Sequence, residues 1–430
     1  MPRLLADTTP LRVSPEFRRL WWGLGLSNLG SQLTVVAVGL EVYDLSGSTL
    51  SVGILGVCAL VPLVVLGLYG GSLVDAHDRR RVAIVSATAA WVVTCLLALQ
   101  AWMHVGSVTL LYALVALQSA AFAVNNPARS AIVPQLLPAR LLPAANSLQT
   151  IAWNLAVTVG PLLGATLVAV WDYSVAYTLD AVTFAAALWA LVHLPPLPPH
   201  REDGSRHRAG LASVLEGLRY LTTRPNVRMT FQIDLAAMVL AQPRVLFPAV
   251  GAVIIGGGAQ TTGAMTAAAA VGSLLAGVFS GPLGRVHAQG RVIAWAVVGW
   301  GLAVSAFGAV LVMATHATGA SRTSVLWPAL AAAAICLAIA GAADAVSAVF
   351  RTTILQSATP DAMRGRLQGV FLVVVAGGPR LGDLLGGAGA TWWGEGVAAV
   401  VGGVVCVGAV AALMRRQPQF LAYDARDPQP

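Results

Sequence analysis

The sequence contains no lysine, and only 10% of its 430 residues are charged. Soluble domains carry about a quarter charged residues, and a soluble chain of this length would need far more polar surface. The composition therefore excludes a soluble globular protein. All 26 basic residues are arginines that stand in short segments between apolar blocks. They form no continuous basic face, which excludes nucleic acid as a partner.

The sequence also lacks the common patterns of catalytic, nucleotide-binding and metal sites. It contains no GxxxxGK[ST] pattern, no HExxH pattern and no nucleophile elbow. Its few cysteines lie scattered in apolar segments, without a CxxC pair or a metal-ligand spacing, and are interpreted as small core residues. We therefore expect no enzyme activity, no cofactor and no metal. The four cysteines are Cys58, Cys95, Cys336 and Cys406.

Long apolar blocks dominate what the sequence does contain. Hydrophobic residues make up 57% of the chain, and they gather in stretches of about 20 residues, which cross a bilayer as helices. The first nineteen residues are polar and precede no cleavage pattern, so the first stretch is expected to remain as an anchor. We predict an all-α membrane protein with twelve spans, at residues 20–43, 50–74, 82–103, 107–128, 144–170, 175–194, 227–254, 261–284, 291–314, 325–350, 366–391 and 396–414.

The arginines predict how these spans are oriented. With both termini inside, 23 arginines fall in cytoplasmic segments and Arg322 falls outside, while Arg244 and Arg380 lie within spans. Because positively charged loops stay in the cytoplasm, we expect a bacterial inner-membrane protein with cytoplasmic termini. An aromatic belt would place tryptophans at the outer ends of spans, and five stand there: Trp102, Trp171, Trp327, Trp392 and Trp393.

The chain repeats itself. Residues 129–164 align with residues 351–386 at a constant offset of 222, so that Arg129 stands opposite Arg351. Such repeats are typical of transporters built from two bundles around a midplane site.

A polar segment divides the two halves. It begins Pro-rich and ends in an amphipathic stretch that predicts a short helix on the inner membrane surface. We therefore predict six-helix bundles at residues 1–194 and 227–430, joined by a cytoplasmic linker at residues 195–226.

The loop between the second and third spans resembles the signature of the major facilitator superfamily, roughly G-x-L-x-D-R-x-G-R-R/K. The matching residues are Gly71, Leu73, Asp75, Arg79, Arg80 and Arg81, while Ala76 and Asp78 depart from the pattern. The resemblance implies that Asp75 gates the cytoplasmic side through contacts with helix ends and arginines of the other half. A solvated turn is the alternative.

A second motif lies in the fifth span. Gly160, Pro161 and Gly164 resemble the core of the G-P-x-x-G signature of exporters and antiporters in the same superfamily. The resemblance implies a role in gating, because small residues let helices approach closely and a proline bends its helix. Ordinary helix packing is the alternative.

Three further stretches resemble the enterobactin exporter group of the drug:proton antiporter branch, namely residues 15–18, 244–249 and 359–366. This resemblance implies a monomeric exporter of a small amphipathic molecule, a siderophore or a drug, driven by protons. Two alternatives remain: a lysophospholipid or nutrient transporter of the same fold, and a receptor or scaffold that does not transport.

Ionisable residues at membrane depth are costly and mark functional sites. Arg380 and Asp383 share one helix face, which fits either a charged-substrate or proton site or a structural ion pair. Asp234 and Arg244 lie about 15 Å apart along one helix, so each needs another partner.

Asp234 and Asp344 are the leading candidates for proton carriers, because neither has an arginine at bonding distance on its own helix. Desolvation favours the neutral form of such a carboxylate. Arg351, seven residues after Asp344, is expected to reach the cytoplasmic surface. A structural role for both acids is the alternative.

Three polar residues of the N-terminal half complete the candidates. Glu41 is expected near the outer end of the first span, where it either anchors a loop or lines a vestibule. Gln32 lies on a polar stripe of the same span. Asp180 is expected to cap a helix or anchor a loop near the outer end of the sixth span.

Overall fold

The computed structural model describes residues 8–76, 78–138, 141–196, 219–279, 286–317, 324–358, 361–424 and 426. The described residues form helices and no strand. After a short helix at Thr9–Val13, six long helices follow in the first half: α1 Pro15–Ser46, α2 Thr49–Ala76, α3 Arg79–Trp102, α4 Val108–Leu136, α5 Leu142–Val170 and α6 Tyr173–Val192.

Six further long helices lie in the described part of the second half. They are α7 Pro225–Leu240, α8 Gly258–Val278, α9 Gln289–Ala317, α10 Trp327–Ser357, α11 Asp361–Trp393 and α12 Glu395–Arg416, and a 3₁₀ turn at Pro418–Ala422 follows. Eleven described segments are long and apolar enough to cross a membrane. Helix α11 has 33 residues, which is also ample for a crossing. The predicted all-α architecture is thereby confirmed.

The seventh span departs from the continuous helix that we predict at residues 227–254. Helix α7 ends at Leu240, and the chain continues as a 3₁₀ turn at Arg244–Leu246, a short α-helical turn, and a π-helical turn at Val250–Ile254. Pro243 and Pro248 account for the break, because proline lacks the amide hydrogen that a helix needs. Irregular backbone at membrane depth is tolerated only where protein or a cavity surrounds it.

The chain divides into two compact units. The N-terminal unit contains residues 1–45 and 58–210, and the C-terminal unit contains residues 46–57 and 211–430. The first turns of α2 therefore group with the second half of the sequence. Most of the predicted linker lies outside the described residues, so the boundary at residues 195–226 and its surface helix stay predictions.

Glycines let helices of the N-terminal unit approach closely. A Cβ atom on Gly164 of α5 would stand 2.9 Å from Cα of Leu33 in α1, and one on Gly160 would stand 2.5 Å from Cβ of Gln32. Both are closer than real contacts allow. Membrane helices associate through such small residues, so this pair of glycines determines how α5 packs on α1.

Close packing at glycines also occurs in the C-terminal unit, where the first turns of α2 contact α11. A Cβ atom on Gly53 would stand 2.6 Å from the carbonyl oxygen of Asp383, and one on Gly387 would stand 2.9 Å from that of Thr49. Thr49 Oγ1 also donates to Glu395 Oε1 at 2.9 Å. The first turns of α2 are thus held against α11 and the start of α12.

Candidate functional site

Three ionisable side chains meet inside the C-terminal unit. Arg351 of α10 donates hydrogen bonds to the carboxylates of Asp234 in α7 and Asp344 in α10, the latter from Nη2 to Oδ1 at 3.3 Å. The side chains of Arg351 and Asp234 are 8% and 6% exposed, whereas that of Asp344 is 33% exposed. One guanidinium therefore joins two helices through two carboxylates. We call Asp234, Asp344 and Arg351 the acidic triad.

The charges of the acidic triad do not balance. With both carboxylates ionised, one positive and two negative charges leave a single negative charge in a largely buried place. Uncompensated buried charge is costly, and one bound proton removes it. Because the carboxylates share Arg351, that proton belongs to the coupled pair rather than to one residue. Asp344 is the more exposed of the two carboxylates.

The expectation that Arg351 reaches the cytoplasmic surface is wrong. Residues seven apart lie on nearly the same stripe of a helix, and the arginine side chain folds back along α10 to reach Asp344. It also crosses to α7 and binds Asp234. The sequence prediction assumes that neither acid has a cationic neighbour on its own helix. This is true of Asp234 on α7, but Asp344 contacts Arg351 on α10, and Asp234 contacts the same arginine from α7.

A second group of charges lies where the seventh span is interrupted. Arg244 begins the 3₁₀ turn after the break, and Arg380 and Asp383 lie one turn apart on α11. A side chain at Gly382 would overlap the carbonyl oxygen of Met238, so α11 can approach the end of α7 closely.

Asp383 lies in the field of two arginines. The charges of Arg244 and Arg380 both act on its carboxylate, and its Oδ1 atom is buried without a hydrogen-bond partner among the described residues. The predicted pair of Arg380 and Asp383 is therefore part of a group of three. This group has one net positive charge, opposite in sign to that of the acidic triad.

Glu41 belongs to a buried network of the N-terminal unit. It is 6% exposed, and its carboxylate accepts hydrogen bonds from Tyr177 Oη at 2.5 Å and Gln100 Nε2 at 3.0 Å. These three side chains tie α1, α3 and α6 together. Glu41 therefore holds helices in place within its unit and does not line an open vestibule in this structure.

The expected role of Asp180 as a cap or loop anchor is wrong. Asp180 lies seven residues into α6, is fully buried, and accepts a hydrogen bond from Thr34 Oγ1 at 2.6 Å. A side chain at Gly30 of α1 would clash with Asp180 Oδ1 at 2.5 Å. Glycine at that position makes room for the carboxylate, which a reading of one helix alone does not reveal.

The loop that resembles the superfamily signature is described only in part. The backbone of Gly71 and Asp75 lies in α2, while their side chains lie outside the described residues. Asp78, a departure from the signature, caps α3 by accepting hydrogen bonds from the backbone amides of Arg80 at 2.8 Å and Arg81 at 3.2 Å.

Arg80, one of the two candidate gating arginines, binds the end of a neighbouring helix in its own unit. Its Nη2 atom donates to the carbonyl oxygen of Val192 at 2.5 Å, at the end of α6 in the same unit. A guanidinium there stabilises the exposed carbonyls of a helix C-terminus. Arg79 begins α3. The gating role of Gly71, Asp75, Arg79 and Arg80 stays a prediction, as does that of Gly160, Pro161 and Gly164.

A cavity of about 300 Å³ lies in the N-terminal unit among α1, α4 and α5. Phe17, Trp21 and Trp153 line it together with Arg129 and several amide side chains. The sequence prediction missed this site, because it treats Arg129 only as a marker of the repeat. The site becomes recognisable when the surroundings of Arg129 are compared with those of Arg351, its equivalent in the repeat.

Comparison with known proteins agrees with this architecture. Residues 6–429 match a family described as transmembrane secretion effectors. The enterobactin exporter EntS of Citrobacter koseri is 28% identical over 417 residues, which cover 95% of this chain and 94% of the exporter. EntS of Escherichia coli strain SMS-3-5 is 28% identical over 436 residues, covering 98% of this chain and 99% of the exporter.

Solved structures show the same fold. The crystal structure of the nucleoside transporter NupG matches with a TM-score of 0.73 at 12% sequence identity, and the match covers 93% of this chain and 98% of NupG. At that identity the likeness concerns the fold alone. Together the comparisons confirm the predicted major facilitator architecture and the resemblance to the enterobactin exporter group.

Proposed function

Because this chain belongs to the transmembrane secretion effector family, we propose that it is a secondary exporter of a siderophore-like, small amphipathic molecule. Support comes from the relatives named as enterobactin exporters, which match almost from end to end. As a transporter, the protein needs no catalytic residue, and we propose that it acts as a monomer. The alternative functions for this fold are lysophospholipid transport, nutrient transport and multidrug efflux.

The export is driven by protons through the acidic triad, and the observation that carries this assignment is its unbalanced charge. Arg351 neutralises one of the two carboxylates at most, so the triad has room for one proton. Antiport needs a group whose protonation differs between two states of the carrier. A shift of α7 relative to α10 that loosens the contact of Arg351 with Asp234 or Asp344 changes the proton affinity of the pair.

The positively charged group at Arg244, Arg380 and Asp383 is the second candidate for contact with cargo or protons. It favours a negatively charged substrate group, since its net charge is positive. It adjoins the interrupted part of the seventh span. Glu41 and Gln32 remain candidates of lower rank, because both are engaged in helix packing.

Transport of enterobactin into inside-out membrane vesicles tests the proposal. Wild-type protein should accumulate enterobactin when the vesicle interior is acidic, and accumulation should collapse when the proton gradient is dissipated. Asp234→Asn and Asp344→Asn should each abolish gradient-driven accumulation while purified protein still binds enterobactin. Asp424→Asn, beyond the end of α12, is the matched control with wild-type transport.

Proton release on addition of enterobactin to purified, weakly buffered protein separates coupling from binding. Release like that of the wild type in both Asp234→Asn and Asp344→Asn would show that the acidic triad carries no coupled proton. Asp383 or Glu41 would then be the better candidate for the proton carrier. Absence of any accumulation by wild-type protein would refute the export of enterobactin itself.

The proposed orientation places both termini and residue 204 in the cytoplasm of a bacterial cell. It rests on the distribution of 23 arginines described above. A cysteine introduced at Gly204 should be shielded from a membrane-impermeant thiol reagent added to intact cells and become reactive after permeabilisation. Labelling in intact cells would show that the orientation is reversed.

A further inference from the structure

Arg129 lines the cavity of the N-terminal unit and has no counter-ion among the residues that the structure describes. Within the described part of the chain it makes no hydrogen bond or ion pair, and its buried Nε and Nη2 atoms have no partner. Its guanidinium faces the ring of Phe184, with 5.8 Å between Cζ and the ring centroid. Such a contact orients the cation but leaves its N–H donors unused. A buried guanidinium with unused donors is costly.

The internal repeat shows what the site lacks. At the offset of 222, Arg129 of α4 corresponds to Arg351 of α10, and Phe122 corresponds to Asp344. Arg351 is neutralised by carboxylates, one of them from Asp344. Phe122 takes the place of that acid and lines the cavity. The same arginine is thus retained in both halves, but in the N-terminal unit its counter-ion is replaced by an aromatic ring.

The walls of the cavity suit a flat, aromatic ligand. Trp21 is held in place by a hydrogen bond from Nε1 to the carbonyl oxygen of Leu148 at 3.0 Å, and Trp153 faces the same space. Asn28 and Gln149 add amide groups, and the lining includes no aspartate or glutamate. The volume of about 300 Å³ is at the lower end of ligand pockets, enough for one substituted ring.

We propose that this cavity binds an aromatic ring that bears an acidic oxygen group, with the guanidinium of Arg129 as its counter-ion. The assignment rests on the proposed export function and specifies the substrate class: a molecule with at least one aryl acid moiety. Arginine suits this role because its planar donors bind a carboxylate at two points. The tryptophans contact the faces of the ring, while the amides bind its polar substituents.

Calorimetric titration of the purified full-length protein with salicylate and salicylamide tests the proposal. The two probes have nearly the same shape, but only salicylate is negatively charged at neutral pH. We expect salicylate to bind at least about tenfold more tightly than salicylamide, since a charge-assisted bidentate contact is lost in the amide. Equal affinities, or no binding of salicylate above that of empty detergent micelles, would overturn the proposal.

Three variants localise the effect. Arg129→Gln should remove the preference for salicylate, and Phe122→Asp should do the same by supplying the acid that the other half has at this position. Arg416→Gln, at the end of α12, is the control for general attraction of anions and should bind like wild type. Retained preference in Arg129→Gln or Phe122→Asp would contradict the proposal. The wild-type comparison of the two probes stands without any variant, should a substitution prevent folding.

The binding assay uses no gradient and no vesicle, so its result is independent of export. Salicylate preference without enterobactin accumulation would mean that the cavity is assigned correctly but that enterobactin export is not. Enterobactin accumulation without salicylate preference would mean that export stands and that the aryl acid site is wrong.

Discussion

Removal of Arg351 should strongly destabilise the C-terminal unit, and the structure gives the size of the effect. Two opposite charges 3.3 Å apart, the separation of Arg351 and Asp344, attract by about 5 kcal/mol at an effective dielectric constant of about 20. Asp344 is 33% exposed, so water screens its share. Asp234 is buried, and removing the partner of a buried charge costs about 3–5 kcal/mol. We therefore expect Arg351→Gln to lower the free energy of unfolding by about 3–5 kcal/mol.

Denaturant unfolding of the purified protein in mixed micelles measures this loss. Asp344→Asn is the matched variant, because it leaves Arg351 and Asp234 as a balanced pair, and its stability should stay within about 1 kcal/mol of wild type. The double variant with Asp234→Asn and Arg351→Gln should recover part of the loss, because the buried charge of Asp234 is then absent and only the partly exposed Asp344 is left without its partner. The deficit of Arg351→Gln should shrink at acidic pH, where protonation removes the unpaired charges. Wild-type stability of Arg351→Gln at neutral pH would refute the assigned ion pairs.

Three further perturbations test other parts of the structure. Gly164→Ala places a methyl group against α1, and it should lower the free energy of unfolding by about 1–3 kcal/mol in a denaturation assay. Its control is Gly67→Ala, which faces open space and should be neutral or stabilising in the same assay. Tyr177→Phe removes a hydrogen bond from buried Glu41 and should cost about 1–3 kcal/mol, again by denaturation, with no loss expected if that bond is absent. Asp75→Asn should impair enterobactin transport in vesicles without changing stability, and normal turnover would contradict its gating role.

The architecture could be predicted from the sequence because a membrane enforces it. Apolar stretches of about 20 residues can cross lipid only as helices, so the spans follow from composition. The break in the seventh span could have been inferred from Pro243 and Pro248. It is missed because transmembrane helices often tolerate proline when neighbours satisfy the freed backbone groups.

The partners of the charged residues could not be predicted from one helix at a time. Helical spacing relates Asp344 to Arg351, but it does not say that the arginine folds back and bridges to Asp234 on another helix. The pattern of its own span alone places Asp180 near a helix end, yet Gly30 and Thr34 of α1 enclose it. Contacts between helices depend on rotation and on small residues, which periodicity alone does not determine.

The repeat places Arg129 and Arg351 at equivalent positions, but their surroundings differ. A repeat fixes where on its helix a side chain lies, whereas the residues two turns away determine whether its charge is already neutralised. In the C-terminal unit, Asp344 and Asp234 together carry one negative charge more than Arg351 neutralises when both are ionised, and the proposed coupled proton would balance it. In the N-terminal unit, Phe122 stands in the place of the acid, and Arg129 keeps a positive charge that the proposed anionic ligand would balance. The two halves thus differ at the position two turns before the arginine, which is Asp344 in one half and Phe122 in the other. On the proposed assignments, this difference helps to separate a site for a proton from a site for an anion.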